Sequence, residues 1–233
     1  MKGPIVLAVD TPDLEIAKKW VFATQDSVSV YKLGLEFFLS FGAEGVRAIK
    51  NETDAEIFLD LKLHDIPHTV RGASLAIASL QPRFLTVHAS GGSAMVSAAA
   101  EAVPDIDITA VTVLTSLSEQ DIFEIGFANP ALESAVALAV MAVKAGARAI
   151  VCSPLEISAI RSAVGPITHI ITPGVRPVSD VGLDDQVRTM TPRGAIEAGA
   201  SFVVIGRPIT SQWAQGLDAM KTRARSLADE ILQ

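Results

Sequence analysis

The sequence predicts an α/β fold in which eight parallel strands alternate with helices and close into one barrel. Short runs rich in Val, Ile and Leu recur along the 233 residues, and each is followed by a longer stretch with helical spacing of apolar residues. Strands this apolar are buried on both faces, and strands that alternate with helices form parallel sheets. Eight such units favour a single-domain (β/α)8 TIM barrel with parallel strands over residues 1–233, somewhat shorter than the typical ~250 residues.

An open, doubly wound sheet is the main alternative to a closed barrel. A dinucleotide-binding sheet of that kind carries Gly-x-Gly-x-x-Gly directly after its first strand. The first predicted strand, residues 4–9, is instead followed by Asp10, Thr11 and Pro12. The sequence therefore favours the barrel, and no linker or low-complexity tract divides it.

The first four units are recognised by their strand runs and by the residues between strand and helix. Residues 4–9 form an apolar strand, and Thr11 with Pro12 opens a helix over 13–25, because a capping residue followed by proline is typical of a helix start. The next three strands are predicted over 27–33, 55–63 and 83–88, and their helices over 36–51, 69–80 and 93–102. Each pair repeats the strand-then-helix order of a barrel unit.

The last four units follow the same order with longer connections. Strands are predicted over 107–114, 148–152, 168–172 and 201–205, because β-branched residues are frequent in each run. The helices that follow them are predicted over 130–145, 155–163, 191–198 and 216–232. The fifth unit has a polar loop before its helix, and the seventh has a loop rich in Gly, Pro and Asp.

Composition and charge exclude several classes of function. The net charge is −7 with a sequence pI of about 5.1, and no basic run is present, which argues against nucleic acid as a partner. The strand over 4–9 is too short for the core of a signal peptide, and no stretch approaches the ~20 apolar residues of a membrane span. The single cysteine, Cys152, lies in an apolar run, where a buried structural thiol in a reducing compartment is expected. We therefore expect a cytoplasmic protein with no membrane partner.

The chain is also more apolar than most soluble domains. Only 19% of its residues are charged, below the ~25% that is typical, and its mean hydropathy is +0.40. Such a balance means either that much of the chain is buried or that some apolar surface meets a partner, and the second interpretation is favoured. We expect the protein to associate with itself.

Residues 60–69 place two carboxylates around a lysine at the end of the third strand. Side chains on a strand alternate between faces, so Asp60 and Lys62 point the same way, with attachment points ~7 Å apart. Asp65 follows in a loop marked by Pro67, from which this second carboxylate can fold back toward Lys62. A strand-end salt bridge followed by a helix cap would give the same pattern.

The ends of the other predicted strands decide between these interpretations. In a barrel the active site lies at the carboxyl ends of the strands, where this chain places Asp10, Lys32, Asp60 and Lys62. A purely structural barrel has no reason to crowd two lysines and two aspartates together, since like charges repel by about 4 kcal/mol at ~4 Å and an effective dielectric near 20. The arrangement therefore indicates catalysis.

Two arginines close to glycines follow the seventh and eighth strands. Gly174 precedes Arg176 in the first segment, and Gly206 precedes Arg207 in the second. Barrels often bind phosphate at this position, because glycine lets backbone amides approach an anion and arginine can clamp it with two hydrogen bonds. These segments predict a local anion site on an otherwise acidic chain.

Two histidines have the spacing of a metal-ligand pair. His64 and His68 stand at i and i+4 with Asp65 between them. Pro67 breaks the helix that would bring both rings onto one face, so the spacing loses that meaning. No Ser-His-Asp or activated Cys-His arrangement is evident either. These residues predict no metal site.

Together, these segments are similar to the orotidine 5′-phosphate decarboxylase family in its compact bacterial form. The similarity extends over nearly the whole chain, and its most specific part is the pattern Asp-x-Lys-x-x-Asp-Ile-Pro-x-Thr of residues 60–69. The other matching segments are LAVD at 7–10, YKLG at 31–34, VLTS at 113–116, TPGVRP at 172–177, DQ at 185–186 and IGRP at 205–208. The resemblance implies decarboxylation of orotidine 5′-monophosphate (OMP) to UMP, without metal or cofactor.

The resemblance also implies a role for each site residue. Lys62 would donate a proton to C6, Asp60 would face the substrate carboxylate, and Lys32 would belong to the same charged network. Asp65 and Thr69 would reach this site from the partner subunit of a homodimer. The remaining expected contacts are Asp10 with the ribose, Thr115 and Ser118 with the pyrimidine, and Arg176, Gln186, Gly206 and Arg207 with the phosphate.

Two alternatives stay open. Related barrels that act on sugar phosphates, a Mg²⁺-dependent keto-gulonate phosphate decarboxylase and a hexulose phosphate synthase, share Asp-x-Lys-x-x-Asp. The Ile-Pro-x-Thr continuation, together with Asp185 and Gln186, favours the pyrimidine enzyme over these barrels. The other alternative is a non-catalytic barrel that only binds nucleotide, and the intact Lys62 argues against it.

Overall fold

The computed structural model describes residues 2–177 and 190–233, in which eight parallel strands pair in sequence order and close into a barrel. The strands are β1 (Gly3–Ala8), β2 (Val28–Gly34), β3 (Glu56–Leu63), β4 (Phe84–His88), β5 (Asp107–Val111), β6 (Ala149–Val151), β7 (His169–Thr172) and β8 (Phe202–Ile205). The helices are α1 (Leu14–Thr24), α2 (Leu35–Lys50), α3 (Pro67–Ala78), α4 (Ser93–Ala102), α5 (Glu119–Glu124), α6 (Ala131–Lys144), α7 (Ile157–Val164), α8 (Pro192–Glu197), α9 (Arg207–Thr210) and α10 (Leu217–Leu232). The predicted (β/α)8 TIM barrel is confirmed.

Every predicted strand and helix is present, with bounds that differ from the prediction by up to three residues, and the starts of two helices have a clear physical reason. Asp13, and not Thr11, caps α1, because its carboxylate accepts hydrogen bonds from the backbone N–H groups of Glu15 and Ile16 at 2.9 and 3.0 Å. Helix α3 begins at Pro67, ahead of the predicted start, since proline in the first turn gives up no helical hydrogen bond. The sequence does not predict α5 and α9, because helices of 6 and 4 residues show no helical periodicity.

Two apolar layers hold the barrel together. The larger layer lies between the strands and the surrounding helices, and the smaller one fills the barrel interior. The interior layer consists of Val6, Val30, Phe58, Phe84, Ala149 and Ile171. The rings of Phe58 and Phe84 meet edge to face with their centroids 5.6 Å apart. Burial on both faces explains why the strands appear in the sequence as apolar runs without polar alternation.

The interior layer determines which polar side chains face the barrel axis. Successive strand residues point to opposite faces, so a residue two positions after an interior residue faces the interior again. Three such pairs are Val30 with Lys32, Phe58 with Asp60, and Phe84 with Thr86. These polar side chains therefore stand above an apolar floor, toward the carboxyl ends of the strands.

Strand β3 is irregular where it approaches these polar residues. Its register against β4 shifts, since Leu59 pairs with Leu85 while Leu63 pairs with Val87. Within this bulge Lys62 has a φ of 49°, in the left-handed region that costs a non-glycine residue about 1–2 kcal/mol. The simple strand alternation expected from the sequence therefore ends before Lys62.

The fold also bears on the expectations drawn from composition. Cys152 is buried, as predicted for a structural thiol, and burial raises the pKa of this thiol. Several large apolar side chains are exposed, among them Leu39 and Ile66. None of the helices in the described part of the chain is long and apolar enough to cross a membrane.

Candidate active site

Four charged side chains form an alternating row at the carboxyl end of the barrel. The Lys62 ammonium lies 2.8 Å from Asp60 Oδ1, and the Lys32 ammonium lies 3.5 Å from Asp60 Oδ2. The Lys32 ammonium also lies 3.4 Å from Asp10 Oδ1. The order Asp10, Lys32, Asp60, Lys62 places unlike charges next to each other, so each buried ion has a partner. The prediction that these four residues meet on one rim is confirmed.

Asp60 is the centre of this charged row. Its side chain is 12% exposed, whereas the side chain of Asp10 is 58% exposed. Burial alone would raise the pKa of Asp60, but the charges of Lys32 and Lys62 and the hydrogen bonds from Lys62 and Thr86 outweigh burial and hold the pKa below its ordinary value. Asp60 is therefore ionised at neutral pH and holds both ammonium groups.

Thr86 belongs to this site, although the sequence does not predict it. It lies fully buried in β4, and its hydroxyl accepts a hydrogen bond from the backbone N–H of Lys62 at 2.8 Å. The same hydroxyl donates to Asp60 Oδ1 at 3.1 Å. In the sequence, Thr86 could have been found as a polar residue two positions after Phe84 in an apolar strand. Only the register of the sheet, however, shows which face of the strand that position occupies.

Two histidine rings meet beside the charged row. The His88 ring at the end of β4 lies 5.3 Å from the ring of His64, measured between centroids. Burial, followed by the charges of His64 and Lys62, lowers the pKa of His88 and favours its neutral form. Pro67 begins α3 and His64 precedes it, so His64 and His68 do not share a helix face. Within the part of the chain that the structure describes, no three His, Cys, Asp or Glu residues are arranged to hold a metal ion.

Asp65 and Thr69 lie apart from the charged row in their own chain. Asp65 is exposed, and its carboxylate accepts a hydrogen bond from the backbone N–H of Ile66 at 2.6 Å. Among the described residues it forms no ion pair with Lys62, so the prediction that this carboxylate folds back toward Lys62 is wrong for a single chain. The carboxylate instead satisfies a backbone donor next to the start of α3, where N–H groups lack helical partners. Thr69 is exposed in the first turn of α3.

A cavity of about 590 Å³ opens among the loops that follow β5, β6 and β7. Thr115 and Ser118, the two predicted pyrimidine contacts, both line it. The Ser118 hydroxyl caps α5, because it accepts from the backbone N–H of Asp121 and donates to the Asp121 carboxylate at 2.7 Å. Glu156, which the sequence does not predict, also lines the cavity. Burial raises the pKa of Glu156 to about 7, although a hydrogen bond from the backbone of Ser153 acts in the opposite direction. Both residues therefore remain candidates, and the Ser118 hydroxyl serves in addition as the cap of α5.

The predicted anion-binding segments follow β7 and β8, which are paired neighbours in the barrel. The backbone N–H of Arg176 donates to the carbonyl of Met190 at 3.0 Å, so the segment after β7 is fixed to the residues that precede α8. Gly206 directly follows β8, and Arg207 is the first residue of α9. Both segments therefore leave the same sector of the rim. Gln186, another predicted phosphate contact, lies outside the described residues.

Known proteins with similar sequences and folds indicate what such a site does. Residues 3–216 match the model of the orotidine 5′-phosphate decarboxylase / HUMPS family. The chain is 51% identical over 210 residues to orotidine 5′-phosphate decarboxylase of Thermobifida fusca (strain YX), with 90% of each protein covered. It is 45% identical over 227 residues to the enzyme of the same name from Frankia casuarinae, which covers 90% of this chain and 82% of that one. The crystal structure of orotidine 5′-phosphate decarboxylase from Lactobacillus acidophilus is 32% identical, covers 100% of both chains and superposes with a TM-score of 0.84. This chain belongs to the orotidine 5′-phosphate decarboxylase / HUMPS family.

Proposed function

We propose that this protein decarboxylates OMP to UMP in pyrimidine biosynthesis. The observation that carries the proposal is the alternating row of Asp10, Lys32, Asp60 and Lys62 at the carboxyl end of the barrel. Relatives that share 45% and 51% of their residues over most of the chain are named for the same reaction. The row supplies what this reaction needs, which is a fixed ammonium group held beside a carboxylate in a partly buried site.

Lys62 supplies both positive charge and a proton in this mechanism. When the bond from C6 to the carboxylate carbon breaks, the electron pair stays on C6 and CO₂ leaves. An ammonium fixed 2.8 Å from Asp60 stabilises negative charge that develops only toward the transition state, which is the kind of interaction that raises kcat. Lys62 then transfers its proton to C6 to give UMP, and regains a proton from water.

Asp60 holds the Lys62 ammonium in place. Its two oxygens contact different lysines, Oδ1 with Lys62 and Oδ2 with Lys32, and its lowered pKa keeps it ionised throughout the neutral range. In a substrate complex its charge would also face the carboxylate on C6, so the departure of CO₂ would relieve repulsion between two anions. Asp60 thus acts on both the lysine and the leaving group in this proposal.

The other rim residues are proposed to hold the rest of the nucleotide. Asp10, exposed after β1, would accept hydrogen bonds from ribose hydroxyls, and Thr115 in the cavity wall would meet the pyrimidine. The proposed phosphate contacts are Arg176, Gln186, Gly206 and Arg207, from the segments after β7 and β8. Contacts this far from C6 supply binding energy that orients the reacting ring.

We further propose a homodimer in which Asp65 and Thr69 complete the site of the partner subunit. Two observations support this: among the described residues Asp65 forms no ion pair with its own Lys62, and large apolar side chains are exposed, one of them next to Asp65. Ile66, next to Asp65, is 65% exposed, and Leu39 on α2 is 81% exposed. Exposed apolar side chains of this size mark interaction surfaces, and a twofold interface would create two shared sites. A cytoplasmic location is part of the same proposal.

A turnover assay tests the proposed reaction. Purified protein is mixed with OMP, and the change in OMP absorbance is followed with and without EDTA, with Lys62→Ala protein as the matched control. We expect the wild-type protein to convert OMP equally well under both conditions and the Lys62→Ala protein to convert almost none.

Each alternative gives a different result in this assay. Activity that disappears with EDTA, or that appears only with a sugar phosphate, would point to the Mg²⁺-dependent barrels. Nucleotide binding without turnover of either substrate would point to a barrel that only binds. Either result would contradict the proposed reaction.

A further inference from the structure

The Thr86 hydroxyl joins the two residues that the proposed chemistry depends on. It donates one hydrogen bond to the carboxylate of Asp60 and accepts one from the backbone N–H of Lys62. A hydroxyl has one proton to donate, and here that proton is directed at Asp60. Thr86 is fully buried in β4, so its rotamer is fixed by packing. One side chain of β4 therefore forms hydrogen bonds to both Asp60 and Lys62 of β3.

The backbone of Lys62 needs such support. Its φ of 49° is unfavourable for a lysine, and it occurs where the pairing of β3 with β4 shifts register. The shift removes regular ladder partners from this stretch, and the Lys62 N–H bonds to Thr86 Oγ1 at 2.8 Å instead of to a strand carbonyl. A left-handed residue persists only where its surroundings over-determine it. The hydrogen bond to Thr86 is one such constraint.

We propose that Thr86 is a positioning residue for the Asp60 and Lys62 pair, which fixes the Lys62 backbone in its left-handed conformation and orients the Asp60 carboxylate toward the Lys62 ammonium. This inference rests on the proposed function for its catalytic consequence, but its geometric part stands on the hydrogen bonds alone. The proposed function gives Thr86 no direct contact with the substrate. Its loss should therefore reduce kcat much more than it changes KM.

Replacing Thr86 by Val removes the hydroxyl and keeps the branched shape. The Lys62 N–H then loses its acceptor, and Asp60 Oδ1 loses one donor while it keeps the Lys62 ammonium. A side chain displaced by even ~1 Å can cost on the order of 100-fold in rate, so we expect kcat to fall by about 10- to 100-fold. Thr86→Ser keeps the hydroxyl and should retain most of the activity.

Thr109 provides a matched control on the adjacent strand. It pairs directly with Thr86 in the register of β4 and β5 and is equally buried. Its hydroxyl donates to the backbone carbonyl of Asp107, away from the charged row. Thr109→Val thus makes the same chemical change in the same sheet, and we expect it to leave kcat close to the wild-type value.

Two measurements separate positioning from general damage to the fold. The first is the pH profile of kcat/KM, in which the acid limb should move to higher pH in Thr86→Val, because Asp60 has lost a hydrogen bond that lowers its pKa. The second needs no turnover: the Asp60 carboxyl carbon is titrated by NMR in ligand-free protein, and it should also titrate at higher pH in Thr86→Val. Thr109→Val should change neither measurement. Thr86→Ala is measured in parallel, so that the test does not depend on one variant folding.

The outcomes distinguish this inference from the proposed function. If wild-type protein does not convert OMP, the proposed function fails, and the NMR titration still decides the role of Thr86. If Thr86→Val keeps kcat within about two-fold of wild type and Asp60 titrates unchanged, the positioning role is overturned. A loss of activity in Thr86→Ser as large as in Thr86→Val would also overturn it, since the hydroxyl would then not be the group that matters.

Discussion

Mixing Lys62→Ala protein with Asp65→Ala protein is expected to restore activity that neither variant has alone. In one chain the Asp65 carboxylate binds the backbone of Ile66 and does not reach Lys62, so the two removed groups are proposed to meet only across a twofold interface. Random exchange of equal amounts makes about half of the dimers mixed, and each mixed dimer has one site with both native residues and one with neither. The mixture should therefore recover about a quarter of wild-type activity.

The assay is OMP turnover after the two proteins have exchanged subunits. A different affinity tag on each variant proves exchange, because only mixed dimers carry both tags. A mixture of Lys62→Ala with Asp60→Ala is the matched control, since Asp60 lies 2.8 Å from Lys62 within one chain and every mixed site then lacks one of them. If doubly tagged dimers form and the Asp65 mixture is no more active than this control, Asp65 works within its own chain and the shared site is refuted.

Three further outcomes are expected. Lys62→Ala alone should lose OMP turnover by many orders of magnitude while its Tm, followed by circular dichroism, stays near the wild-type value, because Lys62 lies on the rim outside both apolar layers. Arg207→Ala should lower kcat/KM far more for OMP than for orotidine, which lacks the phosphate; equal losses would mean that Arg207 serves the barrel and not the ligand. The free energy of unfolding should fall as the pH drops below 6.5, because burial lowers the pKa of His169 in the folded state and the unfolded chain therefore takes up a proton first. His169→Phe should flatten that dependence in urea titrations at pH 7 and roughly pH 5.5, and an unchanged slope would show that His169 does not cause it.

Most of the fold is predictable from the sequence because each strand is buried on two faces. Runs such as residues 4–9 and 201–205 are apolar apart from Ser201, and they correspond to β1 and β8, which close the barrel. Local signals are weaker at helix starts, where Thr11 and Asp13 are both acceptable caps by residue type. Only the observed hydrogen bonds show that Asp13 is the cap.

The site is predictable only as far as strand alternation extends. The sequence predicts Lys32 and Asp60 at the carboxyl ends of their strands, and in the structure each lies two positions after an interior residue, on the face toward the barrel axis. The left-handed backbone of Lys62 and the hydroxyl of Thr86 depend on the register between β3 and β4, which is a long-range property that no local pattern encodes. The sequence says even less about where Asp65 acts, because spacing along one chain cannot show whether a loop side chain contributes to the site of its own subunit or to that of the partner.

The apolar floor beneath the row explains why the charges alternate. Phe58 and Phe84 are fully buried directly below Asp60 and Thr86, so water is excluded from that side and an uncompensated charge there would be expensive. Each ion must therefore be balanced by its immediate neighbours, which forces the order acid, base, acid, base along the rim. The same requirement makes the row a unit, because a change in the position of Asp60 alters the surroundings of both lysines at once. The Thr86 hydroxyl on the next strand, which holds Asp60 by one bond and the Lys62 backbone by another, is then placed to influence the whole row.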